Sequence, residues 1–141
     1  MNNPVSLRTA ALATGVLAIL GACTLIEWPP ASGRAVYNQN CVMCHGTGGQ
    51  GDGPLASELF SPPTDLTRLS LNNGGEFPRV AVLSHIDGYV RGENSSDAMP
   101  EFGPLLVGDN VLLETGEGVV TPTPKLLLAV ANYLESLQIT E

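Results

Sequence analysis

The sequence predicts an all-α domain in which short helices and long loops close around a bound prosthetic group. The clearest periodic segment is helical: from Lys125 to Leu137, apolar Leu126, Leu127, Val130, Tyr133, Leu134 and Leu137 recur at three- and four-residue steps. Sixteen glycines and eleven prolines in 141 residues predict many loops, and a 5% aromatic content leaves a small core in want of a staple. Two of the three cysteines and one of the two histidines fall together in Cys41-Val42-Met43-Cys44-His45, which is where such a staple would be held.

In chain order, the first segment reads as targeting rather than fold. Thr9 to Ala22 is uncharged and mostly apolar behind Arg8, the pattern of a secretory signal, and is shorter than the roughly 20 apolar residues of a membrane span. It ends in Leu20-Gly21-Ala22-Cys23, which resembles a bacterial lipobox, where the cysteine is lipidated and becomes the first mature residue. Residues 1–22 are therefore read as a lipoprotein signal peptide, 23–32 as the lipidated Cys23 and a tether, and 33–141 as the folded domain. The competing reading is an uncleaved anchor helix with Cys23 a chance neighbour. Both export the domain, and the lipobox reading places it on the periplasmic side of a bacterial membrane, held by acyl chains. Pro29 and Pro30 stiffen the tether, and the ten residues from Cys23 to Gly33 reach at most about 35 Å.

Within the domain, Gly33 to Met43 reads as a helix running into the cysteine motif, with Gly33 and Tyr37 on one face. Gly46 to Pro63 is a Gly/Pro loop with room for one helical turn at Leu55–Phe60. Phe77 to Ile86 looks helical, with Pro78 in its first turn, Val82, Leu83 and Ile86 on one face, and Asp87–Gly88 ending it. No repeat and no convincing sheet is apparent, although Val111 to Val120 has the composition of a small hairpin.

Several chemistries use paired cysteines. A structural zinc site needs four ligands, and only His85 is left to add one beyond the cluster. A thioredoxin-like pair belongs to a βαβ pattern that is missing here, and a plain disulfide leaves the adjacent histidine unexplained. C-x-x-C-H instead reads as covalent attachment of a c-type haem, with both thiols adding to vinyl groups and His45 reaching the iron. Composition alone would produce this motif on the order of once in a thousand such chains. The formal charge of −8 disfavours nucleic acid and anionic lipid as electrostatic partners, and favours basic or neutral protein patches.

From about Gly33 to Leu137 the chain resembles a class I cytochrome c. The resemblance implies the cytochrome c fold with one covalent haem c. It matches Gly33 and Tyr37, with Val130 and Tyr133, to the crossing of the first and last helices. It matches Gly53–Pro54 to a family turn whose proline carbonyl accepts a hydrogen bond from the iron-bound histidine, placing Pro54 in the haem site. Asp97 to Gly103, "DAMPEFG", resembles the family's distal segment, which implies Met99 as the sixth ligand in a loop stiffened by Pro100. The rival donors are few: Met1 leaves with the signal, Met43 is inside the attachment turn, and His85 reads as a helix-end histidine. The departure from the small family pattern is Gly103 to Pro124, an extension that either packs over the haem edge or docks a partner.

The expected function is one-electron transfer between redox protein donor and acceptor by a haem with His45/Met99 ligation, without enzymatic chemistry of its own. The chain is then a membrane-anchored carrier or an electron-transfer subunit of a larger oxidase or dehydrogenase. The alternative is a haem-based sensor or small catalyst with an open sixth position.

Overall fold

Ser32 starts the first helix by accepting the amide of Ala35 at 3.2 Å, and the chain then turns through α1, Gly33–Asn40, in the computed structural model, which describes residues 32–89 and 99–140. The predicted signal peptide, residues 1–22, and the predicted lipidation site Cys23 lie outside the described residues. After a break at Cys41 comes α2, Val42–His45, so the predicted run from Gly33 into the motif is two short helices. Single 3-10 turns follow at Ala56–Glu58 and Leu66–Arg68, the second running into α3, Leu69–Asn72. Asp65 caps that turn through the amide and hydroxyl of Thr67. The helix α4, Arg79–Asp87, starts directly after Pro78 and stops where Gly88 takes the left-handed conformation, φ 93°. A further 3-10 turn covers Gly103–Leu105, and the chain ends in α5, Lys125–Ser136.

The core lies where α1 and α4 pack against α5. From α5, Leu127, Val130, Ala131 and Leu134 are buried along one stripe; Val36 and Tyr37 come from α1, and Val82, Leu83 and Ile86 from α4. The crossing of α1 over α5 depends on Gly33, because a Cβ there would stand 1.8 Å from the carbonyl oxygen of Ala129. Tyr37, fully buried, stacks at a tilt on Tyr133 with ring centroids 5.2 Å apart. Its hydroxyl donates to the Gly46 carbonyl at 2.7 Å, which joins the helix crossing to the end of the cysteine motif. Beyond α5, Gln138 accepts the Ser70 amide at 2.8 Å and donates to the Leu66 carbonyl at 2.7 Å, closing the C-terminus over the 66–70 segment.

The all-α expectation is corrected by a two-stranded antiparallel sheet. Strand β1, Asn110–Gly116, pairs with β2, Val119–Pro124, in a register from Asn110 opposite Pro124 to Gly116 opposite Val119. The physical reason is local. Val, Leu and Thr alternate here with a period of two, and positive φ at Glu117 (52°) and Gly118 (77°) makes the tight turn that favours a hairpin. Pro122 and Pro124 are tolerated because each strand has a partner on one side only. The sheet is the extension noted between the distal segment and the last helix. None of its residues lines the cavity described below, so it does not cover that cavity.

Candidate functional site

A cavity of about 450 Å³ opens among α1, α2, α4, α5 and the segments 59–69 and 99–102, within the size range of small-molecule and cofactor sites. Its lining is mostly apolar, with Leu59, Leu66, Leu69, Val82, Ile86, Phe102, Val130 and Leu134 among the contributors. Among the described residues, no lysine or arginine lines it. Cys41, Cys44, His45 and Met99 all face it, so four of the five residues predicted to hold a cofactor are brought together.

The α2 turn explains the first three. With Cys41 at its N-terminal cap position, the amide of His45 donates to the Cys41 carbonyl at 2.9 Å, and Cys41, Cys44 and His45 are gathered within one turn. Cys41 and Cys44 are free thiols rather than a disulfide. Burial, and next the neighbouring Cys44, push the Cys41 thiol up to about 11. It is therefore a neutral thiol at pH 7 and a poor thiolate ligand. Among the described residues, no group of three or more His, Cys, Asp or Glu converges as a metal-ion site.

His45 is oriented by the backbone. Its Nδ1–H donates to the Thr64 carbonyl at 3.0 Å, so a neutral ring keeps the lone pair of Nε2 for another partner. Burial holds the His45 imidazole below its ordinary proton affinity; the Thr64 bond opposes that shift and the charge of His85 adds to it. The Thr64 contact corrects the expectation for Pro54. The Gly53–Pro54 turn folds onto the backbone of α2 instead, with the Gly53 amide donating to Cys44 at 3.0 Å and the Leu55 amide to Met43 at 2.8 Å. Pro54 ends up exposed and off the cavity wall. Thr64 reaches the ring because the glycine loop lies flat beneath it. At Gly51, φ 80°, a Cβ would stand 2.3 Å from the Pro63 carbonyl oxygen, and the Leu66 amide donates to Gly49 at 2.7 Å. No sequence signal marks a main-chain acceptor so far along the chain. The pair Pro62–Pro63, which keeps the strand before Thr64 extended, is the nearest to one.

Met99 lies in the wall formed by α4 and the 99–102 segment, half-buried and packed against the core. Pro100 and Phe102 line the cavity beside it, while Met43 is exposed and faces away from it. His85, read from the sequence as a helix-end residue, also faces the cavity. The stripe Ala81, Val82, His85 and Ile86 was available as a signal and was masked by His85's polar character.

Crossed first and last helices, with a C-x-x-C-H turn set against them and a methionine loop before the last helix, define a class I cytochrome c. More narrowly, the chain belongs to the family described as cytochrome c oxidase, cbb3-type, subunit III, which matches residues 29–112. Over 43 residues it is 46% identical to the Cbb3-type cytochrome c oxidase subunit CcoP of Azospirillum brasilense, a match covering 30% of this chain and 15% of that protein. No solved structure matches the chain. The family match stops inside β1, so β2 and α5 lie beyond it. Membership implies haem c and haem-based electron transfer, and the residues present fit that group: paired thiols, an imidazole with its Nε2 uncommitted, an apolar wall and a thioether.

Proposed function

We propose that this chain is a single-haem electron carrier in which Cys41 and Cys44 hold the haem by thioether bonds, His45 supplies one axial ligand and Met99 the other. The observation that carries the reading is the gathering of all four side chains on one apolar cavity, with His45 turned by Thr64 so that Nε2 is its available nitrogen. The haem supplies one-electron chemistry when bound. The protein's own work is to hold and insulate it. Leu66, Val82, Phe102 and Val130 exclude water, which lowers the reorganisation that a charge change demands. The Thr64 carbonyl fixes the imidazole plane and strengthens its donation, and a soft neutral thioether raises the potential relative to a nitrogen donor.

The chain exchanges electrons with redox protein partners as a carrier or as a subunit of an oxidase assembly, in keeping with the name of its Azospirillum relative. Its net charge of −8 suits a basic or neutral docking patch on those partners. It is anchored on the periplasmic side of the membrane through lipid on Cys23.

Haem staining after a denaturing gel tests the attachment. Colour travels with the wild-type polypeptide and is lost when Cys41→Ala and Cys44→Ala are combined. Covalent haem surviving both changes would overturn the assignment.

A further inference from the structure

The cavity wall made by α4 and the 99–102 segment carries two side chains able to donate to iron, and the proposed function uses one of them. His85 sits on the cavity-facing stripe of α4, one turn beyond Ala81 and Val82 and next to Ile86. The Met99 segment is fastened to that same turn. The Phe102 amide donates to the Ile86 carbonyl at 2.9 Å, and Gly103 passes so near Asp87 that an added Cβ would lie 2.7 Å from its carbonyl oxygen. Met99 and His85 therefore enter one cavity from adjoining, mutually bonded backbone. α4 is itself held in place, with Val82, Leu83 and Ile86 buried and Arg79 bonded to Asn132 and Glu135 of α5.

We propose that His85 is a second axial donor, taking the sixth position on iron when the Met99 thioether is withdrawn. The inference rests on the attachment of haem at Cys41, Cys44 and His45. The exchange breaks one sulfur–iron bond and forms one nitrogen–iron bond. His85 enters as the neutral imidazole, any proton it carries passes to water, and the iron's electron count is unchanged. Nitrogen is the harder donor and favours the ferric ion, whereas the thioether favours the ferrous one. Loss of methionine then shifts the site to a low-potential, six-coordinate state instead of opening it to diatomic gases.

The test uses the full-length holoprotein. Ferric Met99→Ala lacks the weak far-red sulfur-to-iron band and stays low-spin by electron paramagnetic resonance. Its reduced form binds carbon monoxide at least tenfold more slowly than the Met99→Ala, His85→Ala double variant, whose ferric iron is high-spin. Added free imidazole restores the low-spin signal only in the double variant. Met99→Ala with His85→Gln provides the same comparison with a side chain of similar length should the alanine pair fold poorly. A high-spin Met99→Ala protein indistinguishable from the double variant overturns the proposal. The readings also separate from one another. If the wild type lacks the sulfur band, Met99 is not the resident ligand. In that event, a wild type turned high-spin by His85→Ala alone still supports His85 as donor, and one left unchanged overturns it.

Discussion

His45 and Thr64 set the character of the site at single-residue resolution, because one carbonyl selects which ring nitrogen is available. Tyr37 is their structural counterpart. Burial, followed by the charges of Cys41, Tyr133 and Asp52, pushes its hydroxyl up to about 12. A phenol whose folded value is raised contributes stability that is complete below the unfolded value near 10, and that is lost as pH rises through about 12. The folded state should thus weaken between those two pH values by about 2–3 kcal/mol. Denaturant midpoints measured from pH 9 to 12 check this, and Tyr37→Phe should flatten the alkaline limb. That variant should also lose about 1 kcal/mol at pH 7, since the Gly46 carbonyl loses its shorter, buried bond and keeps only the Gly49 amide at 3.3 Å. In the haem-loaded protein Cys41 is no longer titratable under the proposed attachment, so the alkaline limb belongs to Tyr37, with burial as its remaining main cause.

Among the elements, the α1–α5 crossing is the most sensitive to a single atom. Gly33→Ala must push α1 off the Ala129 carbonyl, at a cost of about 1–3 kcal/mol, read as a lowered thermal midpoint with the haem spectrum retained. The crossing was legible through the family resemblance, which matched Gly33 and Tyr37 to the first helix and Val130 and Tyr133 to the last. The hairpin was legible in composition and turn chemistry, yet two strands of mostly exposed residues could not declare themselves by burial. Replacing residues 108–123 with a short glycine-serine loop should leave the ferrous absorption bands unchanged, since none of them lines the cavity. Stability should fall, because Leu113 packs on the core and Thr123 is buried. A shifted spectrum would tie the hairpin to the haem edge after all.

For the molecule as a whole, the proposed anchor and the net charge make predictions about where electron exchange takes place. Among the described residues no helix is long and apolar enough to cross a membrane, and Cys23, the proposed lipidation site, lies outside them. Wild-type protein should partition with membranes, and Cys23→Ser should remain unprocessed and unacylated. Mass spectrometry of a mature chain beginning elsewhere with unmodified Cys23 would refute the anchor. Docking steered by a charge of −8 should also slow as salt rises, measured as the electron-transfer rate with a basic redox partner between low and physiological ionic strength.

The C-x-x-C-H turn and the last helix could be read directly from the chain, because both reside in short-range spacing: five consecutive residues in one case, a three- and four-residue recurrence in the other. The partner of His45 could not. Thr64 lies 19 residues further on, it acts through its main chain, and every residue offers a carbonyl; only the flat packing of the glycine loop selects this one. His85 was undecidable for a related reason. A histidine on a short helix has the same spacing whether it faces solvent or cavity; His85 stays solvent-exposed, and only the placing of α4 against α5 sets it at the cavity.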